Sequence, residues 1–293
     1  MPENAHTIDI GGRAVRLTNL TKVMYPASGM TKAGVIDYYR RVAPAILDQM
    51  RDRPVTRLRF PEGVSGERFF EKNVPNGAPD WLRRRMMRAS PGEDDEGTEV
   101  EFPFIDDLAA LVWAANQGAL ELHTPQWRVA PDGVVRNPDR LVIDLDPGPP
   151  AGLADCAKVA VLVAERLTAD GLAAVPVTSG GKGLQLYAPL DGRRDAITVR
   201  EYARSLATAL AKQHPRLVVA VMRKDLRRGR VLLDWSQNHP AKTTITPYSL
   251  RGRERPTVAA PRSWDEITSG GLAQLTADEV AARYEDDGDP LAP

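Results

Sequence analysis

The chain has 293 residues, 42% hydrophobic and 27% charged, enough apolar material for a substantial core in one large α/β unit. Lys+Arg and Asp+Glu both total 39, which argues against coating nucleic acid through bulk charge but leaves room for local runs of one sign. A single cysteine, Cys156, excludes an internal disulfide and a thiolate zinc cluster, and no apolar run approaches the ~18–20 residues that span a bilayer.

The N-terminus, Met-Pro-Glu-Asn-Ala-His, lacks the basic and apolar parts of a signal peptide, so a soluble, cytoplasmic protein without membrane partners is expected. Residues 1–20 read as an N-terminal extension, followed by a helix near 31–50 and a layer of short strands. Arg-Arg-Arg-Met-Met-Arg at 83–88 is wholly basic, and 90–99 combines turn formers with the acidic run Glu93, Asp94, Asp95, Glu96, the segment most expected to be flexible. From residue 140 the pattern is clearer. A short apolar strand at 140–146 stops at Pro147-Gly148-Pro149-Pro150, and Leu153, Ala157, Ala160, Val161, Ala164 and Leu167 then predict one face of a helix over 153–168, ended by Gly171. Strand Ala174–Thr178, the turn Ser179-Gly-Gly-Lys-Gly183, strand Leu184–Ala188 and a helix over 198–213 follow. Strands Leu217–Met222 and Val231–Trp235 flank a second basic run, with Arg223, Lys224, Arg227, Arg228 and Arg230 against Asp225 alone. The tail from 285 to 293 is expected to fray. Strands separated by helices, plus a hairpin, predict a mixed sheet with helices packed on it, in a single catalytic domain over 1–293.

Asp144 and Asp146 are one pleat apart in Arg-Leu-Val-Ile-Asp-Leu-Asp, so their carboxylates share a face while Leu141, Ile143 and Leu145 share the other. Paired carboxylate oxygens suit Mg²⁺ or Mn²⁺; two solvated acids at a strand end would give the same pattern. Asp234, in the otherwise apolar stretch Val-Leu-Leu-Asp-Trp beside the second basic run, is the candidate third acid, because an unpaired carboxylate there would be costly. Gly180, Gly181 and Gly183 permit close backbone approach to a ligand, but no Walker pattern is present and a plain glycine turn is the simpler reading. Taken alone, His123 is a hydrogen-bonding residue, Lys22 and Lys32 are surface lysines, and Phe69-Phe70 begins a strand with at least one ring packed inside.

These residues lie in longer stretches that resemble the polymerase domain of bacterial ligase D, the end-joining enzyme, within the archaeo-eukaryotic primase superfamily. The stretches are Leu-Thr-Asn-Leu-Thr-Lys22-Val-Met-Tyr-Pro-Ala-Ser-Gly-Met-Thr-Lys32, Arg-Pro-Val-Thr-Arg57, Phe69-Phe70-Glu-Lys72, Leu-Glu-Leu-His123, and Arg-Leu-Val-Ile-Asp144-Leu-Asp146-Pro-Gly. Thr-Ser179-Gly-Gly-Lys182-Gly, Asp234-Trp-Ser-Gln237-Asn, Lys242-Thr-Thr and Pro-Tyr-Ser-Leu-Arg251-Gly-Arg complete the set, in family order. The resemblance implies an α/β (α+β), two-layer primase-polymerase fold with mixed sheets and flanking helices. It implies a two-metal site with Mn²⁺ or Mg²⁺ on Asp144, Asp146 and Asp234, and template-directed addition of NTPs or dNTPs with ribonucleotides preferred. It assigns His123 and Gln237 to the nucleotide, Ser179 to the sugar hydroxyl, Lys182 and Arg251 to the triphosphate, Lys22 and Lys32 to a downstream 5′-phosphate, and Phe69 and Phe70 to template stacking. Gapped or broken DNA, a Ku-type end-binding protein and a separate ligase are the implied partners, in bacterial cytoplasm at the nucleoid.

One departure stands out: Gln185 occupies a position where many relatives carry His, and Gln cannot take a positive charge, which puts a phosphate role there in doubt. The chain shows no ligase lysine motif and no room for an adenylating or phosphoesterase domain, so an excised domain or a stand-alone enzyme is expected, the start Met1 and short tail favouring a separate gene. A primase that starts chains without a primer and an idle DNA-end-binding module are the alternatives; three close acids argue against the second, and the triphosphate-type cations against a nuclease.

Overall fold

In the computed structural model, which describes residues 5–88 and 98–292, the Asp144 stretch is the third strand of a six-stranded sheet. Chain contacts define two units: Met1–Thr124 with Ile245–Val258 and Thr276–Asp289, and Pro125–Thr244 with Ala259–Leu275 and Pro290–Pro293.

The second unit is built on that sheet. In spatial order its strands are Val218–Val219, Val231–Asp234, Arg140–Pro147, Leu184–Pro189, Val175–Thr178 and Ala260–Pro261. The first pair is parallel and the others are antiparallel. Alternation along Arg140–Pro147 turns Leu141, Ile143 and Leu145, each at most 1% exposed, toward the core formed with helices Leu153–Ala169 and Ala196–Gln213. Val159, Val163, Leu167, Leu206 and Leu210 complete that core, and full burial of each such side chain stabilises by about 1.5–3 kcal/mol. Local chemistry sets the helix ends. The Asp155 carboxylate accepts the Gly152 N–H at 3.1 Å, Asp195 accepts from Thr198 N at 2.7 Å, and Gly171, at φ +79°, takes the left-handed turn that stops the first helix.

The first unit carries a four-stranded sheet ordered Phe69–Glu71, Thr56–Arg59, Ala119–Thr124 and Thr244–Ile245, the last where the chain passes from one unit to the other. Helices Lys32–Arg41, Ala43–Met50, Leu108–Asn116 and Ala277–Asp287 belong to this unit. Three antiparallel pairs, His6–Ile10 with Arg13–Leu17, Val23–Tyr25 with Met30–Thr31 and Arg84–Arg88 with Glu99–Pro103, also belong to it. The basic run at 83–88 is thus largely a hairpin strand, whereas the acidic run lies outside the described residues, as do 90–97 of the segment expected to be flexible.

Three expectations change, and one helix is new. The helix near 31–50 is two helices, broken at Val42, because Pro44 has no N–H to continue the ladder and instead sits in the first turn of the next helix. Leu108–Asn116 is helical although its sequence gives no amphipathic period; eight of its nine residues are buried, so every face is apolar. The strand expected over 217–222 shortens to Val218–Val219, and the Ala220 carbonyl accepts from the Trp235 indole N–H at 3.0 Å. The expected fraying tail is helical as far as Asp287. No helix among the described residues is long and apolar enough to cross a membrane.

Candidate active site

Sheet register places the three acids. Asp144 pairs directly with Asp234 across the antiparallel strands Arg140–Pro147 and Val231–Asp234, and Asp146 lies two residues along on the face of Asp144. Asn238 fixes the turn after Asp234: its side chain accepts from Val142 N at 3.0 Å and donates to Val142 O at 2.7 Å, tying the short helix Trp235–Asn238 to the central strand. The backbone therefore presents three carboxylates from two hydrogen-bonded strands.

Each carboxylate has a protein partner. Asp146 accepts from Lys182 Nζ at 2.9 Å and Arg227 Nη1 at 3.3 Å. Asp144 Oδ1 accepts from Gln185 Nε2 at 3.0 Å, and Gln185 is held in turn by the Tyr187 hydroxyl at 3.2 Å. Asp234 accepts from Ser236 N at 3.0 Å, from the Ser236 hydroxyl, and from Gln237 Nε2 at 3.1 Å. As the side chains stand, no three His, Cys, Asp or Glu groups among the described residues are gathered closely enough to hold a metal ion. The donor set nonetheless fits a hard divalent cation: carboxylate oxygens only, on one sheet face, each now bonded to groups that supply positive charge or N–H and O–H donors in its place. The field of these acids reaches the buried Cys156, whose thiol is pushed up to about 12, by burial first and then by the charges of Asp144 and Asp146.

The glycine turn stands beside the acids and is braced from within its unit. Ser179 Oγ accepts the N–H groups of Gly181 and Gly183, both at 3.2 Å, and Gln274 bridges Gly180 N at 2.7 Å and Gly183 O at 3.0 Å. Gly183 admits no side chain, since a Cβ would lie 2.2 Å from the Leu145 carbonyl oxygen; this closeness brings the turn to the end of the aspartate strand. Ser179 is thus a cap for the turn in this structure, and Lys182 an ion-pair partner of Asp146.

In the first unit, His123 and Arg251 converge on Glu121. His123 Nε2 lies 2.9 Å from Glu121 Oε2, Arg251 Nε 3.4 Å from Oε1, and Gly252 N donates to Oε1 at 3.0 Å. Burial raises the Glu121 carboxyl, but the His123 hydrogen bond, the Arg251 charge and the Gly252 N–H outweigh it and hold the group below the usual carboxylate range. With Glu121 ionised and able only to accept, the His123 Nε2 carries the proton. Sequence reading quoted Glu121 without a role, although i and i+2 on a strand share a face and Leu-Glu-Leu-His contains that spacing. Arg227 was also visible, as one cation of the basic run; its pairing with Asp146 was not.

Lys22 and Lys32 are brought together in the first unit, Lys32 N donating to Lys22 O at 2.8 Å. The Lys22 ammonium reaches both Glu62 oxygens at 2.9 Å and Pro61 O at 3.1 Å. Lys32 is 6% exposed, and its pKa is lowered by burial and then by the charges of Lys22 and Arg59, with Glu62 opposing. Phe69 and Phe70 are 41% and 60% exposed, so the expectation that at least one packs inside is corrected. Their strand has three residues and lies at the sheet edge, where neither alternating face is covered.

Comparison with known proteins places these features. A family model described as the primase-polymerase domain of LigD matches residues 31–291. The chain is 47% identical over 279 residues to the multifunctional non-homologous end joining protein LigD of Mycolicibacterium smegmatis, covering 95% of this chain and 36% of that one. It is 32% identical to the bifunctional LigD of Bacillus subtilis, over 94% of this chain and 43% of the relative, so it spans well under half the length of these relatives. The solved polymerase domain of Mycobacterium tuberculosis ligase D in complex with DNA superposes with a TM-score of 0.88 at 46% identity, covering 94% of this chain and 96% of that one. The chain belongs to the LigD primase-polymerase domain family and is a nucleotidyltransferase of that type, as its sequence motifs implied.

Proposed function

We propose that the protein is a DNA-directed polymerase that adds nucleotides, ribonucleotides in preference, at gaps or ends in broken DNA, using Asp144, Asp146 and Asp234 as its metal-holding residues. The observation that carries this reading is the register pairing Asp144 with Asp234, with Asp146 on the same face and Lys182 and Arg227 beside it. Bound Mn²⁺ or Mg²⁺ on the three carboxylates supplies Lewis-acid stabilisation of charge on oxygen.

The chain's own residues handle the nucleotide. Lys182 supplies a compact charge and Arg251 a planar fork for triphosphate oxygens, complementary ways of binding phosphate. Ser179 keeps its hydroxyl hydrogen for a sugar oxygen while capping the glycine turn, and a ribose 2′-hydroxyl as its acceptor accounts for the ribonucleotide preference. Glu121 orients His123 through Nε2 and leaves its other ring nitrogen to bond the nucleotide. Gln237 holds Asp234 in place and can turn one amide hydrogen outward. Neither His123 nor Gln185 needs to be charged for these roles, and Gln185 serves as the hydrogen-bonding partner of Asp144.

Lys22 and Lys32, with Arg59 adding charge, suit a 5′-phosphate on a downstream strand, because a buried ammonium among other cations gains most from a dianion. Phe69 and Phe70 offer exposed rings for base stacking, worth about 1–3 kcal/mol per base. The relatives' names carry non-homologous end joining, and we infer that pathway here, with a Ku-type protein and a ligase acting on the same break. Primer extension on gapped DNA, with and without a 5′-phosphate and with ribo- or deoxyribonucleotides in each metal, tests the reading. Faster ribonucleotide addition on the phosphorylated gap is expected; indifference to both sugar and phosphate contradicts these specificities. Labelled products from an unprimed template would favour the primase alternative.

A further inference from the structure

The edge of the six-stranded sheet in the second unit carries a groove that none of the roles above uses. It encloses about 540 Å³ beside the edge strand Val218–Val219. Val218, Val219, Val221, Met222, Leu226 and Trp235 supply its apolar lining, and Val221 is 49% exposed. Arg204 and Arg230 line it as well, and among the described residues no acidic side chain does. The Arg230 guanidinium donates to the Leu226 and Pro215 carbonyls, and it forms no ion pair among the described residues. Arg200, one helical turn before Arg204, stacks over the Trp235 ring at 5.3 Å, its Nε without a hydrogen-bond partner among the described residues; Arg204 stacks at 5.4 Å and reaches the exposed Glu201 at 3.4 Å.

We propose that this groove is a docking site for an extended acidic peptide segment of a partner protein, anchored by a large apolar side chain. Two observations favour that occupant. Arginines surround an aliphatic floor that lacks acids, which complements a segment carrying Asp or Glu on either side of Leu, Ile or Phe. Nucleic acid is disfavoured because Arg200 and Arg204 already stack on Trp235, the one aromatic side chain of the lining, and compete with a base for it.

The test is selection of displayed random peptides of about twelve residues on the full chain, followed by binding of the enriched peptides to Val221→Asp and Arg204→Glu variants whose circular dichroism matches the wild type. Both positions are exposed, so folding should be retained. The expected result is enrichment of acidic sequences with a central apolar residue, whose binding weakens at least about tenfold in each variant, the scale of losing one anchoring contact. Failure to enrich any peptide, enrichment of sequences without acids, or binding indifferent to Val221→Asp overturns the proposal. A single-stranded oligonucleotide that displaces the peptides and itself loses affinity in Val221→Asp would assign the groove to nucleic acid instead, and equally overturn it. None of these outcomes depends on polymerase activity, so the proposal and the functional reading fail separately.

Discussion

Lys32 shows how one side chain can be unremarkable in sequence and specific in structure. Its place in Met-Thr-Lys marks no more than a helix start, yet it is 6% exposed beside Lys22 and Arg59, and its ammonium is pushed below the ordinary lysine value, by burial first. A phosphate would bind the charged form. The gain from a 5′-phosphate is therefore full below the lowered pKa and disappears as pH rises through it, earlier than for a lysine in water at ~10.4. Lys32→Ala should abolish that gain, about tenfold or more in affinity for phosphorylated over unphosphorylated gapped DNA, measured by anisotropy. An equal preference in wild type and variant would remove Lys32 from the phosphate site. The aspartates make a parallel point. Alternation made Asp144 and Asp146 legible as a pair, but only strand register joins Asp234 to them. Metal binding at these acids should raise the melting temperature in Mn²⁺, by the linkage that gives about 2.7 kcal/mol at a hundredfold excess over Kd. The rise should vanish in Asp234→Ala; a full rise in that variant would place the metal elsewhere.

At the scale of elements, what could be read was what repeats. The 3.6-residue apolar spacing gave the helix over 153–168 to within a residue of Leu153–Ala169, and the strands around the glycine turn were bounded by proline and glycine. Leu108–Asn116 was invisible because an element buried on all faces has no period, and the break at Val42 needed Pro44 to be weighed against a strong apolar pattern. Contacts distant in sequence were also out of reach, such as the clasp of Gln274 on the glycine turn, 91 residues from Gly183. Two consequences follow for these elements. Gly183→Ala would force a Cβ to within 2.2 Å of the Leu145 carbonyl, so the turn must move off the aspartate strand. The expected destabilisation is about 2–3 kcal/mol, or roughly 3–5 °C by calorimetry; an unchanged melting temperature would show that the turn relaxes freely. Glu121→Gln should leave His123 and Arg251 without their shared carboxylate, raising KM for the nucleotide about tenfold with a smaller change in kcat. A fall in kcat alone would show that Glu121 acts on the chemistry and not on nucleotide positioning.

Over the whole molecule, zero formal charge and the proposed binding of DNA are compatible because the cations are distributed locally: Lys22 and Lys32 with Arg59 in one unit, Lys182 and Arg227 in the other. Few of them are spent on long-range attraction, so specificity has to come from particular phosphates and bases. The family was legible in the sequence because its motifs are long and span nearly the whole chain; the side-chain pairings that neutralise the aspartates were not, because they depend on how strands and turns meet. The central claim is that Asp144, Asp146 and Asp234 together perform nucleotidyl transfer on DNA. It is tested most directly by single-turnover primer extension on 5′-phosphorylated gapped DNA in Mn²⁺, comparing the wild type with Asp144→Ala, Asp146→Ala and Asp234→Ala. Each variant should lose extension by at least about a thousandfold while binding the gapped DNA as the wild type does; extension at the native rate by any one of them would contradict the assignment.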